Sequence, residues 1–265
     1  MSDRSAAFHA LHRPGRPLLL PNAWDHASGA ALAAVGHPAV GTTSLGVAAA
    51  GGRPDGVAAT AEETFRLAEL LVRLPVLVTV DVEAGFSDDP SAVAGYAAEL
   101  AALGVVGINL EDGRADGSLA DPALVVAKIE AVRARVPRLF VNARTDAWWL
   151  GLPDPLERAL PRARAYRRAG ADGVFVPGVD DPATVRLLAD AVDAPLNVLA
   201  QPGGPPLAAL GRLGVARVST GSLLFRAALA AAVRTADAVR VGVDPDPALP
   251  SYADVQRMTA SGGRP

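Results

Sequence analysis

Residues 76–85 read VLVTVDVEAG, an apolar, β-branched run that ends on two acids, Asp81 and Glu83. Two later runs also end on charge: VVGINLEDG at 105–113 and LFVNARTDA at 139–147. Stretches of helical periodicity separate the three runs, which indicates parallel strands joined by helices. All strand C-termini of a parallel barrel open on one face, so we expect the charged side chains to converge there.

The converging groups are mostly carboxylates. Asp81, Glu83 and Glu111 would face one another, with Arg144 as a nearby cation. Clustered carboxylates repel one another unless a cation lies among them, and oxygen ligands favour Mg²⁺, with Mn²⁺ as the alternative. An arginine suits the binding of an anionic substrate. The pattern predicts a divalent-metal site for a small carboxylate; the alternative is that Arg144 only pairs structurally with Glu111 or Asp81.

The whole chain alternates in the same way. Eight apolar runs recur at βα spacing: RPLLLPN, PAVGTTS, PVLVTVDVE, VVGINLED, LFVNARTD, DGVFVPG, PLNVLAQ and ARVSTGS. Asp-Pro pairs at 89–90, 121–122 and 181–182 are typical of helix starts. We predict a single (β/α)₈ TIM-type barrel over residues 1–265, with a doubly wound open sheet as the alternative. From about residue 241 we expect a flexible tail with a short helix around SYADVQRM.

Composition excludes several classes of function. The net charge of −3 provides no basic surface for nucleic acid. No stretch is apolar enough for a secretory signal or a membrane span, so we expect no membrane partner and a soluble, cytoplasmic protein. The chain has no cysteine, and its one lysine, Lys128, falls within a predicted outer helix. A cysteine nucleophile is excluded and Schiff-base chemistry is disfavoured.

A glycine-rich segment, GTTSLGVAAAGGRPDG at 41–56, follows the second predicted strand. Its small residues would let the backbone amides of Ser44, Leu45 and Gly46 face a carboxylate. The alternative is an ordinary glycine-rich loop. Asp55 near its end would either form a turn or fold back over the site as an acid.

Four further positions carry polar or aromatic side chains near the predicted site. Asn142 shares a strand face with Arg144, and Asn197 is a polar residue inside an apolar strand, so each needs a ligand or a neighbouring strand as its partner. The adjacent Trp148 and Trp149 favour packing or a subunit contact over a cofactor platform.

Taken in order, these segments resemble the isocitrate lyase/phosphoenolpyruvate mutase superfamily. The matching segments cover about residues 18–225: LLLPNAWDHASG, GTTSLGVAAAGG, VTVDVEAG, GVVGINLEDG, NARTDA, GADGVFVPG and PLNVLAQPG. The family is known for Mg²⁺-dependent barrels that make or break C–C or P–C bonds in 2-oxo and 2-hydroxy acids. They stabilise an enolate-like intermediate on the metal.

The resemblance implies roles for individual residues. Ser44, Leu45 and Gly46 would bind the substrate carboxylate, and Asn142 and Asn197 are further substrate-binding candidates. Trp24 and Asp25 would line the mouth of the first strand. Asp81 would bind the metal directly, and three acids would hold metal-bound waters: Asp55, Glu83 and Glu111. Arg144 would bind substrate, so the catalytic candidates are Arg144, Asp55 and Glu111. A homo-oligomer, dimer or tetramer, is expected, with the last helix packed on a neighbour.

The chain departs from the family where proton donors are usually found. The loop after the fourth strand reads GRADGSLADPALVV at 113–126, without the lysine, cysteine or histidine found there in relatives. Pro177 stands where mutases have a histidine. The substitute donors would be solvent, a metal-bound water, or Arg114, Asp116 or Ser118.

From these features we expect a Mg²⁺-dependent lyase or decarboxylase acting on a small 2-oxo or 2-hydroxy acid through a metal-bound enolate. A phosphonate P–C mutase or hydrolase and a non-catalytic 2-oxo acid binding protein are the alternatives.

Overall fold

The computed structural model describes residues 2–260 except 245 and 247. The strands are β1 (Leu18–Leu20), β2 (Asn22–Ala23), β3 (Ala39–Thr42), β4 (Leu77–Asp81), β5 (Gly107–Glu111), β6 (Phe140–Arg144), β7 (Gly173–Val176), β8 (Leu196–Leu199) and β9 (Arg217–Ser219). The helices are α1 (Ser2–Leu11), α2 (His26–Ala34), α3 (Ser44–Ala50), α4 (Ala61–Leu71), α5 (Pro90–Leu103), α6 (Pro122–Arg135), α7 (Pro155–Arg168), α8 (Pro182–Ala191), α9 (Leu207–Arg212), α10 (Leu223–Arg240) and α11 (Tyr252–Ala260).

The strands form one parallel sheet that closes into a barrel. The order runs β1-β9-β8-β7-β6-β5-β4-β3-β2, so the two ends of the sheet are consecutive pieces of chain. Only Pro21 separates β1 from β2, and proline has no backbone N–H to donate to a ladder. The two pieces together serve as one barrel strand. The (β/α)₈ barrel predicted from the sequence is therefore confirmed, and the open-sheet alternative was wrong.

The side chain of Asn22 bridges the interruption at Pro21. Its Nδ2 donates to the Thr42 carbonyl at 2.7 Å, while its Oδ1 accepts from the amides of Thr220 and Gly221 at 3.0 and 2.9 Å. One buried amide thus joins β2, β3 and the end of β9 where the backbone ladder is broken.

The helix signals read from the sequence are confirmed. Asp89, Asp121 and Asp181 each accept a hydrogen bond from a backbone amide in the first helical turn, with proline following at the next position. Gly104, which ends α5, has a φ of +108°, a conformation that costs glycine little.

The N-terminal segment covers the lower end of the barrel, opposite the strand C-termini. Phe8 is fully buried and meets the Phe140 ring edge-on, and His12 stacks on the same ring with 4.2 Å between centroids. Burial, with the nearby Arg217 cation, lowers the pKa of His12 to about 3. His12 is therefore a neutral part of the core.

The two C-terminal helices differ in how they pack. The expected helix around SYADVQRM is present as α11, which lies against α2 and places Met258 on the core. Of the predicted flexible tail, residues 245, 247 and 261–265 lie outside the described part of the chain. α10 buries only Phe225 among its residues and leaves Leu229 and Val233 exposed. Within the described residues, no helix combines the length and apolar character needed to cross a membrane.

Candidate active site

A cavity of about 600 Å³ opens at the C-terminal face of the barrel. The described residues that line it include Asn22, Thr43, Ser44, Leu45, Asp55, Asp81, Asn109, Glu111, Arg114, Arg144, Asp146, Trp149, Phe175, Pro177, Gln201, Ser219, Ser222 and Arg226. Six of the predicted metal, substrate-binding and catalytic residues therefore meet around one space: Ser44, Leu45, Asp55, Asp81, Glu111 and Arg144.

Arg144, the last residue of β6, is held by two acids. Its Nη1 lies 2.8 Å from Glu111 Oε2, and its Nε donates to Asp146 Oδ1 at 2.6 Å. The guanidinium also lies 5.7 Å from the Trp149 ring and 5.5 Å from the Phe175 ring, within cation–π range. Pairing with Glu111 was the structural alternative for Arg144. The pair nonetheless borders the cavity, so Arg144 is positioned by acids and also lines the space that a ligand would occupy.

Desolvation dominates the electrostatics of this face. Burial raises the pKa of Asp81 above its usual range, although the Arg144 charge acts in the opposite direction. Burial likewise raises the pKa of Glu111 well above normal, opposed by Arg144 and reinforced by Asp146 and Asp81. For Arg144, burial opposes the charge, but the neighbouring carboxylates prevail and raise its pKa. The carboxylates of the site therefore outnumber the cation that lies among them.

The residues of the cavity fit a hard cation. Among the described residues, no three acidic or histidine side chains stand close enough to form a ready-made metal cluster. Asp81, however, has a buried Oδ1 that finds no hydrogen bond of normal geometry in the described part of the chain, although the Ser44 and Glu83 amides lie near its carboxylate. A buried carboxylate oxygen left unpaired is costly, and a cation would satisfy it. Asp55 and Glu111 border the same space. This all-oxygen set suits Mg²⁺, which commonly keeps several of its waters.

Glu83 does not point into the mouth as the sequence pattern predicted. β4 ends at Asp81, and Glu83 adopts a left-handed φ of +49°, so the strand alternation no longer sets its direction. Its carboxylate accepts from the Ala58 amide at 2.9 Å and from the Thr60 hydroxyl at 2.8 Å. Glu83 thus anchors the loop that carries Asp55.

The glycine-rich segment is helical where a loop was expected. Ser44 and Leu45 begin α3 and line the cavity, while Gly46 is not among the described lining residues. A Cβ on Gly46 would come within 2.8 Å of the Trp24 Cβ, so its small size serves close packing. Trp24 is not among the described lining residues, because its ring packs edge-on against Phe225. The substrate-binding roles expected for Gly46 and Trp24 stay predictions, and neither residue is among the described lining residues. Asp25 caps α2, where its side chain accepts from an amide.

Asn142 and Asn197 were also predicted to bind substrate, and the structure gives each a hydrogen-bond partner inside the barrel. Both are buried inside the barrel and absent from the described lining residues. Asn142 donates to Asn109 Oδ1 at 2.9 Å, and Asn197 hydrogen-bonds Ser219. The fully buried Arg217 also donates to Asn109 Oδ1, at 3.1 Å. These side chains form a polar layer within the barrel.

The short loop after β5 is a hairpin closed by its own hydrogen bonds. Gly113 and Leu119 form an antiparallel bridge, and the Arg114 amide donates to the Ser118 carbonyl at 2.9 Å. The Asp116 carboxylate accepts from the Ser118 hydroxyl at 2.6 Å. Of the three substitute proton donors, only Arg114 is among the described residues that border the cavity.

The one lysine holds the loop after β4. Lys128 lies in α6 as predicted, but it is buried, and its Nζ donates to the Ala84 carbonyl at 2.9 Å and to Asp88 at 3.1 Å. Asp88 also lies 3.6 Å from Arg114, so Lys128 supports the cavity rim indirectly.

With this geometry in place, comparison with known proteins assigns the family. The model for phosphoenolpyruvate phosphomutase matches residues 8–240, most of the chain. The chain belongs to this family. Its (β/α)₈ fold is the expected one for a phosphoenolpyruvate phosphomutase family member, and the resemblance read from the sequence is confirmed.

Several relatives have this architecture but different names. An uncharacterised protein of Mycobacterium tuberculosis is 47% identical over 94% of this chain and 95% of its own length. A 2-methylisocitrate lyase of Halalkalibacterium halodurans is 31% identical over 80% of this chain and 72% of its own. An oxaloacetate decarboxylase of Pseudomonas aeruginosa is 33% identical over 64% of this chain and 60% of its own.

Solved structures agree on the fold. A candidate lyase/mutase of Burkholderia cenocepacia superimposes with a TM-score of 0.88 at 34% identity, covering 98% of this chain and 96% of that one. A phosphonopyruvate hydrolase solved with oxalate and Mg²⁺ superimposes with a TM-score of 0.84 at 22% identity, covering 97% and 95%. The family thus contains lyases and mutases on one barrel.

Sequence reasoning missed Gln201 and Arg226 as lining residues of this family member, and it favoured packing or a subunit contact for Trp149. Gln201 has a buried Nε2 with no partner among the described residues, Arg226 lies in the first turn of α10, and Trp149 covers Arg144. Gln201 lies at the end of the segment PLNVLAQPG, where a single amide side chain after a strand gives no distinguishing signal. Arg226 sits in a helical stretch where one arginine among many carries no distinguishing signal.

Proposed function

We propose that this protein is a lyase that cleaves a C–C bond in a small 2-oxo or 2-hydroxy carboxylic acid, with decarboxylation of a 2-oxo dicarboxylate as the leading reaction. The observation that carries the proposal is the buried Asp81 carboxylate with its unpartnered Oδ1, set in one cavity with Arg144. The named activities of the 2-methylisocitrate lyase and oxaloacetate decarboxylase relatives support it.

Arg144 would bind the end of the substrate where negative charge develops. Its Nε and Nη1 are engaged by Asp146 and Glu111, but its Nη2 makes no hydrogen bond within the described residues. A guanidinium offers five N–H donors in a fixed plane, so donors remain for a ligand. The two acids and two aromatic rings fix its orientation, which reduces the reorganisation needed during reaction.

The carboxylate head of the substrate would lie at the start of α3. Ser44 and Leu45 border the cavity there, and the first amides of a helix lack intrahelical partners. Asp81 would hold Mg²⁺, or Mn²⁺ in its place, with Asp55 and Glu111 binding its waters. When bound, the cation would act as a Lewis acid toward the substrate oxygens. The phosphonopyruvate hydrolase solved with oxalate and Mg²⁺ supports this choice of ion and ligand.

The reaction is balanced without a further reactant. Cleavage of the C3–C4 bond of a 2-oxo dicarboxylate releases CO₂ and leaves the electron pair on C3, delocalised onto the C2 oxygen. Protonation at C3 then gives the 2-oxo monocarboxylate. None of the described lining residues is a lysine, histidine or tyrosine. We therefore assign the proton to solvent, which reaches the open mouth of the cavity.

Phosphonate chemistry is the second candidate. It is favoured by a candidate phosphonomutase of Burkholderia cenocepacia, a solved structure that is 38% identical to this chain with a TM-score of 0.84. Such a reaction needs groups that stabilise a transferring phosphoryl unit. Arg144 and Arg114 are the lining cations on the β5 and β6 side that could serve in this way.

One assay separates these functions. The protein is incubated with Mg²⁺ and, separately, oxaloacetate, 2-methylmalate or phosphonopyruvate, while pyruvate and phosphate are followed. Pyruvate without phosphate supports the proposal, and phosphate release supports phosphonate chemistry. Absence of turnover together with Mg²⁺-dependent oxalate binding contradicts both and indicates a non-catalytic binding protein. Asp81→Ala binding metal and oxalate as tightly as the parent would contradict the site itself.

A further inference from the structure

The floor of the cavity carries an amide side chain, Asn109, whose donor end has no protein partner. Asn109 lies on β5, two residues before Glu111 and in register with Asp81 on β4. It is only 5% exposed, yet it borders the cavity. Its Oδ1 is engaged inside the barrel, whereas its Nδ2 makes no hydrogen bond with any described residue and is not fully enclosed by protein. The N–H donors of Asn109 therefore face the space that a ligand would occupy.

The orientation of this amide is set from inside the barrel. Asn109 Oδ1 accepts from Asn142 Nδ2 at 2.9 Å and from Arg217 Nη2 at 3.1 Å. A guanidinium has donors only, so the atom that faces Arg217 must be the carbonyl oxygen of the amide and not its NH₂ group. The two contacts leave Asn109 one orientation, with its Nδ2 turned toward the cavity.

Arg217 carries a positive charge that no neighbouring acid neutralises. It is fully buried, and it forms no ion pair with any described residue. Its partners Ser219 and Asn109 are neutral, and so is the nearby His12. Burial lowers the pKa of Arg217 to about 9, opposed by the Asp81 charge beyond ion-pair distance, so the guanidinium stays charged at pH 7. A buried cation without an anion costs stability, and ionisable groups perturbed in this way concentrate at functional sites.

The guanidinium polarises the amide that it holds. Hydrogen bonds in a chain strengthen one another, so a charged donor at Asn109 Oδ1 makes the N–H groups of the same amide stronger donors. The low dielectric of the barrel interior screens this effect little. The cavity floor thus presents a neutral donor with a positive charge behind it, an arrangement that suits an oxygen on which negative charge develops.

We infer that Asn109 donates a hydrogen bond to the C2 oxygen of the substrate, and that Arg217 is a positioning residue that acts through Asn109. This inference rests on the proposed function, in which bond cleavage delocalises an electron pair onto that oxygen. Arg144 lies one layer nearer the mouth, in register with Glu111, and would approach the same oxygen from β6. A preorganised donor interacts more strongly with the charged enolate oxygen than with the neutral 2-oxo group, so it favours the transition state over the bound substrate.

The test compares two ligands that differ in charge at the position of the C2 oxygen. Oxalate has a charged carboxylate oxygen where pyruvate has its neutral carbonyl, and binding of both is measured by calorimetry with Mg²⁺ at fixed ionic strength. We expect Asn109→Ala to weaken oxalate binding about tenfold, the loss expected for one charge-assisted hydrogen bond, and pyruvate binding less than about threefold. With oxaloacetate, kcat should fall about 100-fold while KM changes little.

Arg217→Met tests the positioning role, because it removes the charge and the donors while keeping an apolar side chain of similar length. Asn142 still donates to Asn109 Oδ1 in this variant, and losing an unpaired buried charge should not lower the Tm. Oxalate binding should nonetheless weaken toward the Asn109→Ala value, with pyruvate again affected less. The double variant should bind oxalate no more weakly than Asn109→Ala alone, since Arg217 acts through Asn109.

A matched variant keeps the test specific. Thr79→Val removes a buried hydroxyl from the barrel interior with little change in volume and should alter neither ligand. Thermal melting checks that each variant folds, and the double variant, which leaves no unpaired guanidinium, replaces Asn109→Ala if that variant does not. The inference is overturned if the parent binds neither ligand, if loss of Asn109 weakens both alike or neither, or if the losses of the two single variants add.

Failure of this inference can be distinguished from failure of the proposed function. If the preference for oxalate depends on Asn109 but no pyruvate forms from oxaloacetate, the donor role stands and the lyase proposal fails. If Asn109→Ala decarboxylates oxaloacetate with an unchanged kcat, the lyase proposal stands and the donor role fails.

Discussion

At the scale of single residues, the site is built from carboxylates that the fold buries without fully neutralising. Asp81 has an oxygen with no partner in the described residues, while Glu111 and Asp146 share one guanidinium. Buried charges of this kind cost stability unless a ligand completes them. The arrangement therefore lowers the stability of the metal-free protein, and a bound cation would remove that cost.

Neutralising Asp81 should therefore stabilise the metal-free protein while abolishing its response to metal. Burial raises the pKa of Asp81, so the ionised carboxylate is less favourable in the folded protein than in the unfolded chain. We expect Asp81→Asn to raise the metal-free Tm by a few degrees, at about 2–4 °C per kcal/mol for a chain of this size. Differential scanning calorimetry should show an Mg²⁺-dependent rise in Tm for the parent only.

Glu99→Gln, an exposed acid on α5, is the control for that change and should leave both the Tm and the Mg²⁺ response unaltered. A lower metal-free Tm in Asp81→Asn, or an Mg²⁺ shift as large as in the parent, would show that Asp81 has another role.

At the scale of elements, the first strand of the barrel is the weak point of the sheet. Pro21 divides it into β1 and β2, and the Asn22 side chain replaces the missing ladder contacts. The same side chain borders the cavity, so barrel closure and the site share one residue. A substitution at Asn22 should therefore change both the stability of the protein and its ligand binding.

We expect Asn22→Ala to lower the free energy of unfolding by about 3 kcal/mol. The change removes several hydrogen bonds and leaves their buried partners without one. Urea denaturation monitored by circular dichroism measures the change. Asn197→Ala, which removes a buried amide from an intact strand, should cost about 1 kcal/mol. Equal losses in the two variants would contradict the bridging role of Asn22.

The segment that covers the lower end of the barrel should make stability sensitive to acid. His12 has a folded-state pKa of about 3, below its usual value of 6.5. Below pH 6.5 the unfolded chain takes up a proton that folded His12 does not, so stability falls as pH drops toward 3. The slope is at most about 1.4 kcal/mol per pH unit.

Denaturant titrations between pH 7 and pH 5 should show a smaller loss of stability in His12→Phe than in the parent. His37→Gln, which removes a histidine outside the barrel end, should follow the parent. A parent-like pH slope in His12→Phe would mean that other groups cause the acid sensitivity.

The sequence predicted the elements well because their signals are local. Apolar runs, Asp-Pro starts and terminal glycines such as Gly104 each encode one strand or helix boundary. The direction of a side chain beyond the end of a strand, by contrast, is not encoded by its sequence neighbours. The turn of Glu83 depends on a left-handed φ, and Asn142 found its partner on β5, 33 residues away. Such contacts form only when the barrel closes, so no periodic pattern in the sequence predicts them.

At the scale of the whole molecule, α10 carries an apolar face that no other part of the described chain covers. It runs for 18 residues, and of these only Phe225 is buried. Leu229 and Val233 are four residues apart and so share one exposed helical face. Apolar helical faces of this kind commonly mark subunit contacts. We propose that the protein is a homo-oligomer, dimer or tetramer, in which α10 packs on a neighbouring copy.

Light scattering after size-exclusion chromatography should give a mass of two or four times 27.0 kDa. The double variant Leu229→Glu, Val233→Glu should shift the mass toward the monomer, because it places charges in an apolar contact. Arg234→Gln, on the same helix, should leave the mass unchanged. A monomeric parent would refute this packing.

The hairpin at residues 113–119 has a kinetic consequence. Where a catalytic loop must close and reopen in each cycle, product release often limits turnover and responds to solvent viscosity. Here a backbone bridge and the Asp116–Ser118 contact close the segment on itself, so we expect no loop movement over the cavity during the cycle. Bond cleavage rather than loop opening should then limit turnover, so added sucrose should leave kcat unchanged.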